Sequence, residues 1–251
     1  MTDGLISCIC VTREKPLLLR RAIDCFLAQT YPNRELIILY EADDVATKDF
    51  IDSMPFNPQI KIVTVARSSE TRLGGLRNRA IQEAQGEYIC QWDDDDWYHA
   101  GRLEYQYAVI TQTGYAGCIM LKWIVFDSTT GKAYISNPRL WEGSILCKKD
   151  ILLPGPYENK SIGEDTILIE TLFSNKALYP IMHVPHLYIY NYHGGNTWNR
   201  AHWEFIFKSG TPLSEEINVD ISRIMANACD AAEGALLLDR LLHIPIVERA
   251  D

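Results

Sequence analysis

The run Gln91-Trp92-Asp93-Asp94-Asp95-Asp96-Trp97 places four consecutive carboxylates directly behind the apolar stretch Tyr88-Ile89-Cys90. Two ionised carboxylates about 4 Å apart repel by roughly 1 kcal/mol in bulk water and roughly 4 kcal/mol near a protein surface. A buried strand that ends on such a run must protonate an acid, expose it, or bind a cation. Hard oxygen donors of this kind suit Mg²⁺, Mn²⁺ or Ca²⁺. With the chain still extended, Asp93 and Asp95 share one side and Asp94 and Asp96 the other, so one pair holds a metal while the other anchors the loop. A solvated acidic turn is the plain alternative.

Upstream of the run, apolar stretches alternate with helical periodicity. Leu5 to Val11 reads as a buried strand, and Pro16 opens a helix over Leu17 to Gln29, where its missing N–H costs nothing. A second strand covers Leu36 to Leu39, with a helix toward Met54, and a third covers Ile60 to Val65. A helix from Gly74 to Ala84 leads into a fourth strand, Tyr88 to Trp92. This β-α-β-α-β-α-β order predicts a mainly parallel sheet, and ligands in such sheets bind beyond the carboxyl ends of the strands. Thr12, Arg13, Glu41, Asp43, Arg67 and the acidic run all fall at those ends. Downstream, Arg102 to Thr113 reads as a helix, and Cys118 to Phe126, Ser144 to Cys147 and His183 to Tyr192 as strands. Ser161-Ile-Gly-Glu164 reads as a capping box before a helix over Thr166 to Phe173. The tail from Ser214 to about Leu242 is helical, with Leu237, Leu238, Leu241 and Leu242 on one stripe that packs on the parent domain, enters a membrane or forms a dimer seam.

The 251 residues suffice for one large α/β domain, and 47% hydrophobic with 23% charged content is that of an ordinary globular protein. A formal net charge of −9 argues against a nucleic-acid backbone as partner and against electrostatic attachment to anionic lipid. Seven scattered cysteines without a Cys-x-x-Cys pair read as reduced, buried thiols and a cytoplasmic setting. No stretch of about 18 apolar residues spans a membrane, so any membrane association is peripheral, at the inner face.

Several motifs in order carry a resemblance. Ile9-Cys10-Val11-Thr12-Arg13-Glu14-Lys15 is followed by Leu18-Leu19-Arg20-Arg21-Ala22-Ile23 and Phe26-Leu27-Ala28-Gln29-Thr30-Tyr31-Pro32. Leu76-Arg77-Asn78-Arg79-Ala80-Ile81 then leads through Ala84-Gln85-Gly86-Glu87-Tyr88-Ile89 into Trp92-Asp93-Asp94-Asp95-Asp96-Trp97, with Gly163-Glu164-Asp165-Thr166 later. Together they resemble the family-2 (GT2) glycosyltransferases of GT-A fold, densely to about residue 103 and intermittently to about 198. The resemblance implies an α/β, Rossmann-like, mixed but mainly parallel sheet flanked by helices, with a C-terminal helical appendage. Residues 1–213 then form the GT-A domain, with a nucleotide-sugar half to about 103 and an acceptor half over 104–213, and 214–251 form an extension packed on it. Tyr40-Glu41-Ala42-Asp43 and Arg13 depart from the family's usual residues at the nucleotide pocket. The chain lacks a Gln-x-x-Arg-Trp element, which points away from a processive synthase.

The implied activity is transfer of a single sugar from a nucleotide-diphosphate donor, a UDP-sugar first, to a hydroxyl of a glycan or lipid-linked acceptor. Asp165 is the candidate general base, with helix capping as its alternative. Asp95, Asp93 and His193 are the candidate ligands for Mn²⁺ or Mg²⁺. Thr12, Arg13, Glu41, Arg72, Arg77, Asp93 and Asp94 are the candidate nucleotide contacts, since hydroxyls and carboxylates read base edges and arginine pairs with phosphate or stacks on rings. Trp97, Trp141 and Trp198 are candidate stacking faces for sugar rings, and Gly194-Gly195 a closing loop. Homo-oligomerisation would use the C-terminal helix. A catalytically silent glycan-binding scaffold and a sugar nucleotidyltransferase remain the alternatives; the latter wants a glycine-rich loop that Val11-Thr12-Arg13-Glu14-Lys15 does not supply.

Overall fold

A computed structural model describes residues 4–154 and 156–242, the side chains of 241 and 242 excepted. The first half alternates β1 (Ile6–Val11), α1 (Pro16–Leu27), β2 (Arg34–Glu41), α2 (Val45–Asp52), β3 (Ile60–Val65), α3 (Leu73–Glu83) and β4 (Tyr88–Gln91). Then come β5 (Trp97–Tyr98), α4 (Arg102–Thr113), β6 (Gly117–Met120), β7 (Ile124–Asp127), β8 (Lys132–Ile135) and β9 (Leu146–Lys148). The chain continues through α5 (Thr166–Ser174), β10 (Leu178–Ile181), β11 (Tyr188–Tyr192), α6 (Arg200–Ser209), β12 (Thr211–Pro212), α7 (Glu215–Met225) and α8 (Ala231–Leu242).

Seven strands form the central sheet in the order β10-β6-β9-β4-β1-β2-β3. Only β9 runs antiparallel to its neighbours. Ile6 through Cys10 are all buried because helices cover both faces of the sheet, which is why β1 is a continuous apolar run. The strand order reverses at β1, between β2 and β4, and that switch point opens the crevice where such sheets bind ligands.

A second, five-stranded sheet, β12-β8-β7-β11-β5, was not legible in the sequence. It corrects two expectations. Cys118 to Phe126 is not one strand: β6 lies in the first sheet and β7 in the second. The stretch from His183 becomes a strand only at Tyr188, after a short 3-10 turn over Pro185–Leu187. The tail is helical as expected, in two helices, α7 and α8.

The last helix is latched to the core by a buried triad of His99, His186 and Asp239. Gly101 N–H donates to His99 Nδ1 at 3.0 Å, so the ring proton sits on Nε2, 3.2 Å from both Ala235 O and Asp239 Oδ1. That tautomer makes His99 a donor to α8 rather than a metal ligand. Leu238 is fully buried, as the packing reading of the leucine stripe expects, while Leu236 is exposed; the side chains of Leu241 and Leu242 lie outside the described residues.

Candidate active site

A single cleft of about 1000 Å³ lies beyond the carboxyl ends of β1, β2 and β4. It is lined by every candidate base, metal and nucleotide residue except His193, which hydrogen-bonds the lining residue Asp95.

The acidic run leaves the strand immediately, so the expected alternation of sides does not hold. Asp94 and Asp95 share Lys15, whose Nζ lies 3.4 Å from one and 2.8 Å from the other. Thr12 Oγ1 donates to Asp94 at 2.7 Å. Burial and the neighbouring Asp95 raise the Asp94 carboxyl to about 7, whereas the His193 hydrogen bond and Lys15 overcome burial and hold Asp95 well below its usual range. Asp96 is the anchor. It is 1% exposed, accepts from Tyr188 Oη and Asn191 N, and is pushed upward by burial and by Asp95 and Asp93.

The loop backbone is pinned as well. Arg21 donates to Asp95 O at 2.6 Å, Asn191 Nδ2 to the same oxygen at 3.1 Å, and Tyr98 Oη to Asp93 O at 2.9 Å. These contacts fix where the carboxylates point before any ligand arrives.

Arg77 occupies the centre. It is 6% exposed, and its guanidinium reaches Asp93 at 2.7 Å, Asp165 at 3.1 Å, and Glu164 more closely still. Burial opposes its charge, but the three carboxylates outweigh burial and keep it fully cationic. Arg77 is therefore a tie between the acidic loop and the start of α5, and it lines the cleft with its guanidinium engaged by carboxylates. Its position follows from packing of the α3 N-terminus against the segment before Asp165. Asn78 exchanges hydrogen bonds with Tyr157, and Gly74 N–H donates to Lys160 O.

The Ser161–Glu164 capping box does not form. Gly163 adopts φ +67, Glu164 turns to Arg77, and α5 begins at Thr166 with Asp165 at its N-cap position. The Asp165 side chain makes no capping hydrogen bond, so the structural alternative for that residue finds no contact to support it.

Other predicted residues divide. Arg13 pairs with Glu41 at 2.8 Å and Asp43 at 3.0 Å, so two of the candidate nucleotide contacts neutralise one another at the rim. The guanidinium of Arg72 is exposed with no ion-pair partner among the described residues. Asp93 is turned to Arg77 and does not converge with Asp95 and His193, whose Nε2 and Oδ2 lie 3.2 Å apart. Trp97 is core and not a stacking face; Trp141 and Trp198 do line the cleft. Sequence reasoning missed Lys15, Arg21, Arg139, Glu142 and His202. Lys15 and Arg21 lay inside the quoted N-terminal motifs, whereas the other three carried no local signal.

The sequence pattern described as Glycosyl transferase family 2 matches residues 7–170. The chain belongs to that family. It is a glycosyltransferase, and the cleft is its candidate active site. Over 194 residues the transferase is 24% identical to the UDP-Glc:alpha-D-GlcNAc-diphosphoundecaprenol beta-1,3-glucosyltransferase WfgD of Escherichia coli, covering 76% of this chain and 70% of that protein. In fold it is similar to S. aureus TarS 1–349 in complex with UDP-GlcNAc, with TM-score 0.63, 15% identity, and coverage of 88% and 71%. It is also similar to the mannosyltransferase PcManGT of Pyrobaculum calidifontis in complex with GDP-Man and Mn²⁺, with TM-score 0.57, 12% identity, and coverage of 95% and 74%. The mainly parallel sheet flanked by helices is thus the expected GT-A arrangement.

Proposed function

We propose that the transferase is metal-dependent and inverting, moving one sugar from a nucleotide-diphosphate donor to a hydroxyl of a glycan or lipid-linked acceptor. The carrying observation is that Asp165 and the acidic loop meet across one cleft on a shared Arg77. This arrangement supports a base carboxylate across the cleft from the corner where a diphosphate leaving group would sit, which is what a single displacement needs. Asp165, held by Arg77 and free of capping duty, accepts the proton of the acceptor hydroxyl as that oxygen attacks the anomeric carbon.

Asp95 and His193 are the residues that would hold a Mn²⁺ or Mg²⁺ ion: Asp95 is a cleft-lining carboxylate, and His193 Nε2, which donates to it at 3.2 Å while Nδ1 accepts from Gly195 N–H, would give up that proton on binding; such ions complete their shell with substrate phosphates and water. When bound, the ion supplies charge neutralisation for the departing diphosphate. The His193 hydrogen bond and the Lys15 ammonium favour the ionised form of Asp95. Thr12, Arg13, Glu41, Arg72 and Asp94 line the nucleotide end of the cleft. A UDP-sugar donor is supported by the UDP-Glc that WfgD uses and the UDP-GlcNAc bound to TarS. We further propose a GT-A domain over 1–213, a helical extension over 214–251, and a site of action on the cytoplasmic side. No helix among the described residues is long and apolar enough to cross a membrane.

Thermal shift with UDP, GDP, CDP and dTDP, with and without Mn²⁺, tests the reading, followed by a screen of sugar nucleotides for released nucleotide. Stabilisation by one nucleotide that depends on Mn²⁺ is expected. Stabilisation by glycan alone would instead favour a silent scaffold.

A further inference from the structure

Eight acids line the cleft, and seven of them hold a partner through their side chains. Glu142 has no side-chain hydrogen bond or ion pair from another residue among those described. It is nevertheless held in place. It opens a 3-10 turn, Glu142–Ser144, whose carbonyls accept from α4: Arg102 donates to Gly143 O at 3.3 Å and Gln106 to Ser144 O at 2.7 Å. Ser144 Oγ donates back to Trp141 O at 2.6 Å. A carboxyl on so rigid a turn, unpartnered and half-buried in the cleft, is placed to meet something that is not protein.

Its surroundings identify the chemistry of that occupant. Glu142 and Asp165 line the same cleft, and the charge of the proposed base acts on the Glu142 carboxyl. A phosphate would be repelled there, and a sugar hydroxyl would not. Burial and Asp165 together raise the Glu142 carboxyl to about 7, which gives it both a donor and an acceptor for hydroxyl groups near neutral pH. Trp141, the preceding residue, presents an aromatic surface in the same cleft.

We infer that Glu142 is the acceptor-reading residue, hydrogen-bonding a hydroxyl of the acceptor sugar next to the one that Asp165 deprotonates. This rests on the transferase reading above. The base must touch the attacking hydroxyl, so a rigid neighbour of the base faces the ring that carries it. Glu142 thereby selects sugars with a second hydroxyl in reach and orients the nucleophile.

The test uses the full chain loaded with Mn²⁺ and whichever of UDP, GDP, CDP or dTDP stabilises it most. Octyl β-glycosides of glucose, galactose, mannose and N-acetylglucosamine are the probes, and their binding is measured by saturation-transfer NMR. Wild type should bind at least one glycoside, with Kd rising about tenfold in Glu142→Ala and less than about threefold in Glu142→Gln, which keeps hydrogen-bonding capacity. The nucleotide-dependent thermal shift should persist in both variants. Equal glycoside binding in all three proteins, or none by wild type, would overturn the inference. Loss of the nucleotide shift in Glu142→Gln would place the residue on the donor side and overturn it too. A wild type that no nucleotide stabilises would instead sink the transferase reading.

Discussion

Arg77 Nη1 lies 3.1 Å from Asp165 Oδ2 while Nη2 of the same guanidinium lies 2.7 Å from Asp93 Oδ1. One planar fork thereby fixes the separation between the two halves of the proposed chemistry. Lysine would carry the charge without the second arm.

Replacing Arg77 by alanine leaves Asp93, Glu164 and Asp165 without their cation. Breaking a buried pair by removing one partner costs about 3–5 kcal/mol. The melting temperature should fall clearly, and transfer should drop by at least about 100-fold. Arg77→Lys should recover more stability than activity. Equal recovery of both would show that charge alone matters and that the fork does not position the base.

Asp165→Asn keeps the shape and removes the proton acceptor. Transfer should fall about 10²- to 10⁴-fold, the range of general-base contributions, with nucleotide-dependent stabilisation intact. The side chain makes no capping bond and Arg77 keeps Asp93 and Glu164, so the melting temperature should fall less than in Arg77→Ala. Undiminished transfer would discard the base assignment.

Asp95→Ala should abolish the Mn²⁺-dependent part of nucleotide binding, measured by titration calorimetry with and without the ion. His193→Ala should weaken it. Retained ion dependence in both variants would move the metal elsewhere in the cleft.

The latch on α8 should contribute a loss of stability as pH falls below about 6.5, opposed by Asp94 and Glu142, whose raised carboxyls take up protons in the folded state first. Burial depresses His186 to about 3 and also lowers His99. The unfolded chain therefore binds protons at these positions near pH 6.5 while the folded chain does not. The sign is destabilising on acidification, by up to about 1.4 kcal/mol per pH unit for each histidine. The groups facing the pair are Asp239, which opposes the His99 shift, and the two imidazoles themselves. Unfolding in urea from pH 7 to 5 should show a shallower slope in His186→Gln than in wild type; identical slopes would count against the latch.

At Gly74, a Cβ would come within 1.8 Å of Glu158 O, a backbone atom. Gly74→Ala must push the segment before Asp165 away from α3, at a typical overpacking cost of about 1–3 kcal/mol. Transfer should suffer more than nucleotide binding. An unchanged rate would show that the segment relaxes without moving the base.

Legibility followed physical locality. β1 to β4 could be read because strands covered on both faces are unbroken apolar runs, and their boundaries shifted only slightly in the structure. The second sheet could not be read, because β5 and β12 are two residues each and β8 alternates weakly. Ser161 to Glu164 matched a capping pattern, yet Glu164 found a stronger partner in Arg77, and tertiary pairing overrode the local motif.

The sequence by itself determined the alternation of strands and helices, the corner at which the acids emerge, and the family, since each depends on residues close together in the chain. Only the tertiary structure decided what each acid does there. Arg77 takes Asp93, Lys15 and His193 take Asp95, Tyr188 takes Asp96, and Glu142 is left open, because ion pairs form between neighbours in space and their partners come from as far as 98 residues away.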